Sequence, residues 1–207
     1  MFTLLVGLAL HAAQATSQKT YDLPATTSVW VYSHAADPVH DAFLRIWGAG
    51  NQATSNGGPS DDFSYGYLRW NLKDLPEGEP KSITLIVYGP SLAKEGVDPL
   101  EARALKGTID TDWDYSKAND VVPGADDTVF GTSTPTKADA LPQEYKLELS
   151  KASFKAYFTS ARKARALFLA LTSKIDPNSD ASNPRAGVYK VYSAAADKYR
   201  PTLHIEY

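Results

Sequence analysis

The stretch Tyr67 to Tyr88, YLRWNLKDLPEGEPKSITLIVY, constrains the fold more than any other part of the chain. Tyr67-Leu68-Arg69-Trp70-Asn71-Leu72 alternates ring or aliphatic side chains with polar ones. That is the period-2 pattern of a strand with one buried face. Lys73 to Pro80 gathers Asp74, Pro76, Gly78 and Pro80, a turn cluster. Ile83-Thr84-Leu85-Ile86-Val87-Tyr88 is β-branched and aromatic, which suits a pleated, half-buried surface. The expectation is a hairpin of two paired strands that the remaining strands must cover.

Those remaining strands are legible along the chain. Ser28-Val29-Trp30-Val31-Tyr32, Phe43-Leu44-Arg45-Ile46-Trp47, Tyr145-Lys146-Leu147-Glu148-Leu149, Gly187 to Tyr192 and Pro201 to Tyr207 each alternate or are β-rich. Ala166 to Leu171 is a short apolar run bounded by charge, and its length favours a buried strand over a helix. Glu101 to Gly107 reads equally as a strand or a helical turn. One short helix is expected from a Ser150 cap to about Arg162, with Phe154, Tyr157 and Phe158 on one face. The fold class is all-β, a jelly-roll-type β-sandwich of two antiparallel sheets with one short helix.

Residues 1–15, MFTLLVGLALHAAQA, resemble a signal peptide: an apolar run from Phe2 to Leu10, then an Ala13-Gln14-Ala15 cleavage site. Residues 16–25 read as a linker and 26–207 as a single domain, in a secreted or cell-surface protein. No other stretch reaches the length of a membrane span. A net charge of -3 gives no reason to expect nucleic acid. The absence of Cys excludes disulfides and thiolate chemistry.

Two long polar regions carry the candidate binding groups. Gly48 to Gly66 holds Asn51, Asn56 and Tyr65, beside Gln52, Asp61 and Asp62; amides and carboxylates can grip sugar hydroxyls, and a bare surface loop fits the same composition. Ile109 to Thr136 holds Trp113 and Tyr115, whose rings either stack on a sugar or close one end of the sandwich. Asp110, Asp112 and Asp114 alternate there, with Asp120, Asp126 and Asp127 nearby. They could hold a structural Ca²⁺ or form a solvated acidic loop; the spacing is not that of an EF-hand. Arg162, Lys163 and Arg165 follow the helix and suit either a uronate contact or a solvated helix end. His34 and His40 lack a zinc pattern, and His204 sits opposite in phase to Leu203 and Ile205, on an outer face.

The order of these elements resembles the extracellular β-sandwich modules called DNRLRE domains, or carbohydrate-binding module family 96, found in disaggregatase-related proteins. The resemblance rests on Leu68-Arg69-Trp70-Asn71-Leu72 where the family has LRFDL, on Ile83 to Tyr88, on a lone Trp113 in the following loop, and on the closing Arg200-Pro201-Thr202-Leu203-His204-Ile205-Glu206-Tyr207. It spans about Thr26 to Tyr207. The family's Ser-Arg-Glu near the end is replaced by Tyr192-Ser193-Ala194-Ala195-Ala196. The resemblance implies a non-catalytic module that binds a polysaccharide, one that contains uronic acid in some members. Two alternatives compete with it: a structural or adhesive protein with a protein partner at the cell surface, and a jelly-roll polysaccharide lyase. The lyases' Gln-x-His and Tyr-x-Lys-x-Gly-x-Tyr strands are missing, and Val188 to Tyr192 only echoes them.

Overall fold

The computed structural model describes residues 19–32, 35–37, 41–48, 63–91, 97–105, 125–136, 140–175 and 188–207. Its strands are β1 (Thr20–Pro24), β2 (Thr27–Tyr32), β3 (Ala35–Asp37), β4 (Phe43–Ile46), β5 (Ser64–Asn71), β6 (Ser82–Gly89), β7 (Leu100–Leu105), β8 (Ala125–Ser133), β9 (Gln143–Glu148), β10 (Ala166–Thr172), β11 (Tyr189–Tyr192) and β12 (Thr202–Glu206). One helix, α1 (Ala152–Ala164), separates β9 from β10. All pairings are antiparallel. A four-stranded sheet runs β1-β12-β6-β9, a six-stranded sheet runs β3-β2-β5-β10-β7-β8, and β11-β4 forms a third piece. The chain is an all-β sandwich.

The expected hairpin does not form. β5 lies in the six-stranded sheet beside β2 and β10, and β6 lies in the four-stranded sheet beside β12 and β9. Each strand has one strongly apolar face, and the two faces meet across the core instead of edge to edge. Leu68 and Trp70 point inward from β5, Leu85 and Val87 from β6, and all four are completely buried. The turn between them, with Pro76 and Pro80, spans the gap of about 10 Å that separates packed sheets. Leu167, Leu169 and Leu171 of β10 and Leu203 and Ile205 of β12 complete the same core.

Other boundaries also move. Residues expected as a linker form β1, which pairs with β12 from Thr20↔Glu206 to Pro24↔Thr202. The stretch expected to be irregular up to Thr136 contains β8, paired with β7 through two register shifts. The ambiguous segment near Glu101 is strand β7. Ser150 does not cap the helix. The N-cap is Lys151, without a side-chain capping bond, and the helix ends at Arg165 in the left-handed conformation (φ 59°). The helix does bury Phe154, Phe158 and Ala161, and Phe154 meets Phe130 of β8 edge-on at 5.2 Å. Tyr157, on the same side, donates to the Phe168 carbonyl at 2.7 Å.

The outward face of β5 carries a second, smaller cluster: Val29, Val31, Phe63, Tyr65, Tyr67, Leu105 and Ala170. Beside it on β7 and β10 lies a buried polar trio. Arg103 Nη2 is 2.6 Å from Glu101 Oε2, and Arg103 Nε donates to Thr172 Oγ1 at 3.0 Å. Among the described residues, no helix is long and apolar enough to cross a membrane.

Candidate functional site: a row of surface rings

Of the residues expected to bind, Tyr65, Arg162 and Arg165 fall among the described residues. Trp113, Tyr115, Asn51 and Asn56 lie outside the described residues, as do the calcium candidates Asp110, Asp112 and Asp114. Tyr65 is a correction: it is fully buried, its ring 4.7 Å from Phe63, so it presents no face to a ligand. The expected loop ends earlier than Gly66: Ser64 to Gly66 open strand β5, and Tyr65 joins the second core on its outer face. Arg162 is a turn clamp, its guanidinium donating to the carbonyls of Pro76 and Gly78. It also lines a cleft of about 280 Å³ between α1 and the β5–β6 turn, with Lys81, Lys155 and Glu79 at the rim. The floor of that cleft is closed by buried Phe154, Phe158 and Leu149. Arg165 terminates α1 and accepts a backbone bond from Leu72.

A different set of side chains does come together on the surface. In β11, Tyr189 and Val191 are buried, so Lys190 and Tyr192 point outward. In β4, Leu44 and Ile46 are buried and Phe43 and Arg45 point outward. The register places Tyr192 opposite Phe43 and Lys190 opposite Arg45. Tyr88 points outward near the end of β6. Between these strands, Tyr199 stands on the turn after β11, 43% exposed and with φ 63°. The rings form a continuous row: Phe43 to Tyr192 at 5.1 Å, Tyr192 to Tyr199 at 5.4 Å, Tyr199 to Tyr88 at 5.3 Å. The Lys190 ammonium sits 4.1 Å over the Phe43 ring at one end.

The turn that presents Tyr199 is well anchored. Ser193 N donates to the Ala42 carbonyl, and Ala194 N donates to Ser28 Oγ at 2.9 Å. Arg200 Nε donates to the Ala196 carbonyl at 2.8 Å. Ala194 and Ala196 are buried, small enough for the turn to tuck against β2. A left-handed backbone at a bulky residue costs energy, and such residues cluster at functional sites.

At the other end of the row, Tyr88 Oη donates to Glu144 Oε1 at 2.9 Å. Glu144 Oε2 lies 2.8 Å from Lys146 Nζ. Burial, and then the hydrogen bond to Glu144, pushes the Tyr88 phenol up to about 12. The hydrogen bond from Lys146 holds the Glu144 carboxyl below its usual range, with the Tyr88 bond adding to it. The signs set a window. The raised phenol contributes stability that is full below the ordinary pH of about 10 and lost as pH rises through about 12. The lowered carboxyl contributes above the ordinary Glu range and loses it as pH falls through the lowered value. Both groups are partly in solvent, so the amounts are small. In an ultraviolet titration, Tyr88→Phe is expected to remove a phenol with a midpoint near 12; loss of one that titrates at the ordinary value would break the assignment.

His204 lies on the outer face, as its phase implies. Its Nδ1 is 2.7 Å from Asp22 Oδ1 and its Nε2 3.6 Å from Glu206 Oε1. Among the described residues, no group of three or more His, Asp or Glu could hold a metal. No protein-family model and no curated protein matches the chain. The sequence does carry a signal for the row: Tyr88 and Tyr192 occupy outward positions where polar residues are the norm for an exposed sheet face. Their adjacency to Tyr199 and Phe43 depends on sheet order, which periodicity does not contain.

Proposed function

We propose that the chain is a non-catalytic carbohydrate-binding protein that holds a polysaccharide on the row Phe43–Tyr192–Tyr199–Tyr88. The observation that carries this reading is the row itself: four linked rings, part-exposed, on an open surface. Aromatic faces offer apolar area to the C–H face of a sugar, and Tyr adds a hydroxyl at its tip. In the sequence, the order of strands that resembles DNRLRE modules and the signal-like run from Phe2 to Leu10 favour the same reading. Of the residues expected at a uronate contact, Arg162 stands apart from this row. Arg162 clamps the turn that precedes β6, and Tyr88 lies at the other end of that strand, about 20 Å away at 3.4 Å per residue.

The test is a binding screen of the full chain against polysaccharides, with reducing-end release followed in parallel. Tyr199→Ala is expected to weaken binding by roughly fivefold or more, the scale of one aromatic contact. Tyr199→Asn separates ring from backbone, since Asn tolerates the left-handed region. It should lose binding as Ala does while keeping the melting temperature. Wild-type affinity in Tyr199→Asn would remove the row from the site, and product release would move the protein to the enzymes.

A further inference from the structure

The row does not end at Tyr88. Glu144, bonded to Tyr88, and Lys146, bonded to Glu144, are successive outward residues of β9. Outward side chains recur about every 6.8 Å along a strand. Lys146, 60% exposed, is also part of the lining of a groove of about 330 Å³, with Gly131, Thr132, Glu148, Ser150 and Lys151. The groove follows the seam where β8, the edge of one sheet, meets β9, the edge of the other. Gly131 makes the seam possible: a Cβ there would stand 2.5 Å from the Glu148 carbonyl oxygen. Lys151 reaches across, its ammonium donating to the Val129 carbonyl at 2.8 Å.

We infer that this is one track, and that it takes an internal stretch of a neutral, hydroxyl-rich polysaccharide chain. The inference rests on the carbohydrate reading above and extends it. The surface changes in character along its length. Rings at one end stack on sugar faces. The seam at the other end offers hydroxyls from Thr132 and Ser150, carboxylates from Glu144 and Glu148, and ammonium groups from Lys146 and Lys151. Such groups donate to and accept from sugar hydroxyls without needing a charge on the ligand. The two carboxylates balance the two cations along this stretch, and Lys190 at the far end of the row is engaged over the Phe43 ring, so a polyanion gains little here and meets repulsion at each acid. An extended surface linked by hydrogen-bonded side chains follows a polymer's length, whereas recognition of a chain end needs a pocket closed on one side.

Size-graded oligosaccharides from dimer to octamer test the track by calorimetry. The neutral series are β-1,4-linked glucose, mannose and xylose, and the acidic series is β-1,4-linked mannuronate. Affinity for at least one neutral series should keep rising beyond the trimer, by about tenfold in total. Lys146→Ala with Lys151→Gln should flatten that rise to about the trimer level, and Tyr199→Ala should weaken every length. Lys146→Ala alone, at an exposed position, keeps the test valid if the double variant folds poorly. An affinity that stops rising at the trimer, or a rise that survives the lysine changes while Tyr199→Ala still weakens binding, refutes the track and leaves the row standing. Mannuronate oligomers that outbind neutral ones of equal length refute the neutral class. If no series binds, the carbohydrate reading fails and the track fails with it.

Discussion

Arg103→Met is expected to cost about 3–5 kcal/mol of folding stability, the largest single-residue effect on the outer face of the six-stranded sheet. Arg103 and Glu101 are 4% and 6% exposed. Both Nε and Nη2 of the guanidinium donate to the same Glu101 oxygen, at 2.9 and 2.6 Å, and Thr172 Oγ1 donates to it at 3.2 Å. Methionine keeps the hydrophobic stem and removes the charge. The Glu101 carboxylate is then left in a buried place without its cation, and that stranded charge is the main loss. The control is Glu101→Gln combined with Arg103→Met. With both charges gone, much of the stability should return. Urea denaturation of the three proteins reads the differences from their midpoints. A single variant within about 1 kcal/mol of wild type would mean that the pair behaves as a solvent-exposed one.

Trp70→Ala is expected to destabilise by about 3–5 kcal/mol as well, by a different route. Trp70 is completely buried between the sheets, and its removal opens a cavity that strands on both sides cannot fill. Its indole nitrogen, unusually, has no hydrogen-bond partner among the described residues. Trp70→Phe therefore does two opposing things. It loses volume, and it relieves a buried donor whose desolvation costs about 1–3 kcal/mol. The Phe variant should lose well under half of what the Ala variant loses. Equal losses in thermal denaturation would show that the unpaired N–H carries no penalty.

Sequence periodicity located the buried faces well and the neighbours poorly. β10, β9 and β12 alternate or run apolar within a few residues, and that information is local. β8 was hidden because Ala125-Asp126-Asp127-Thr128 carries no apolar phase, and its pairing with β7 runs through bulges. β1 was hidden because Thr20 to Pro24 is short, only half-buried and closed by proline. The Tyr67–Tyr88 stretch shows the limit most plainly. Alternation says that each strand buries one face, but whether two such strands lie side by side or face to face depends on distant partners, in β10 and β12. The surface rings follow the same rule. Tyr88, Tyr192 and Phe43 are each outward by phase, yet only the register brings Tyr192 opposite Phe43, and only an anchored turn lifts Tyr199 between Tyr192 and Tyr88. Tyr65, outward by the same phase, lands in a second core.

The pairing order also sets a timetable. Among the described residues β1 pairs with β12 alone, and β6 is held between β9 and β12. Loop closure must join these distant segments before their contacts repay it. Chains governed by such long-range pairings fold in roughly milliseconds to seconds, well behind helical bundles. During synthesis, β1 and one side of β6 have no partner until β12 leaves the ribosome, so the four-stranded sheet is the last part of the sandwich to close. Variants that weaken β12 should accumulate as species with the β12-facing edge of β6 unpaired, and aggregation should follow those variants more closely than equal losses of stability elsewhere.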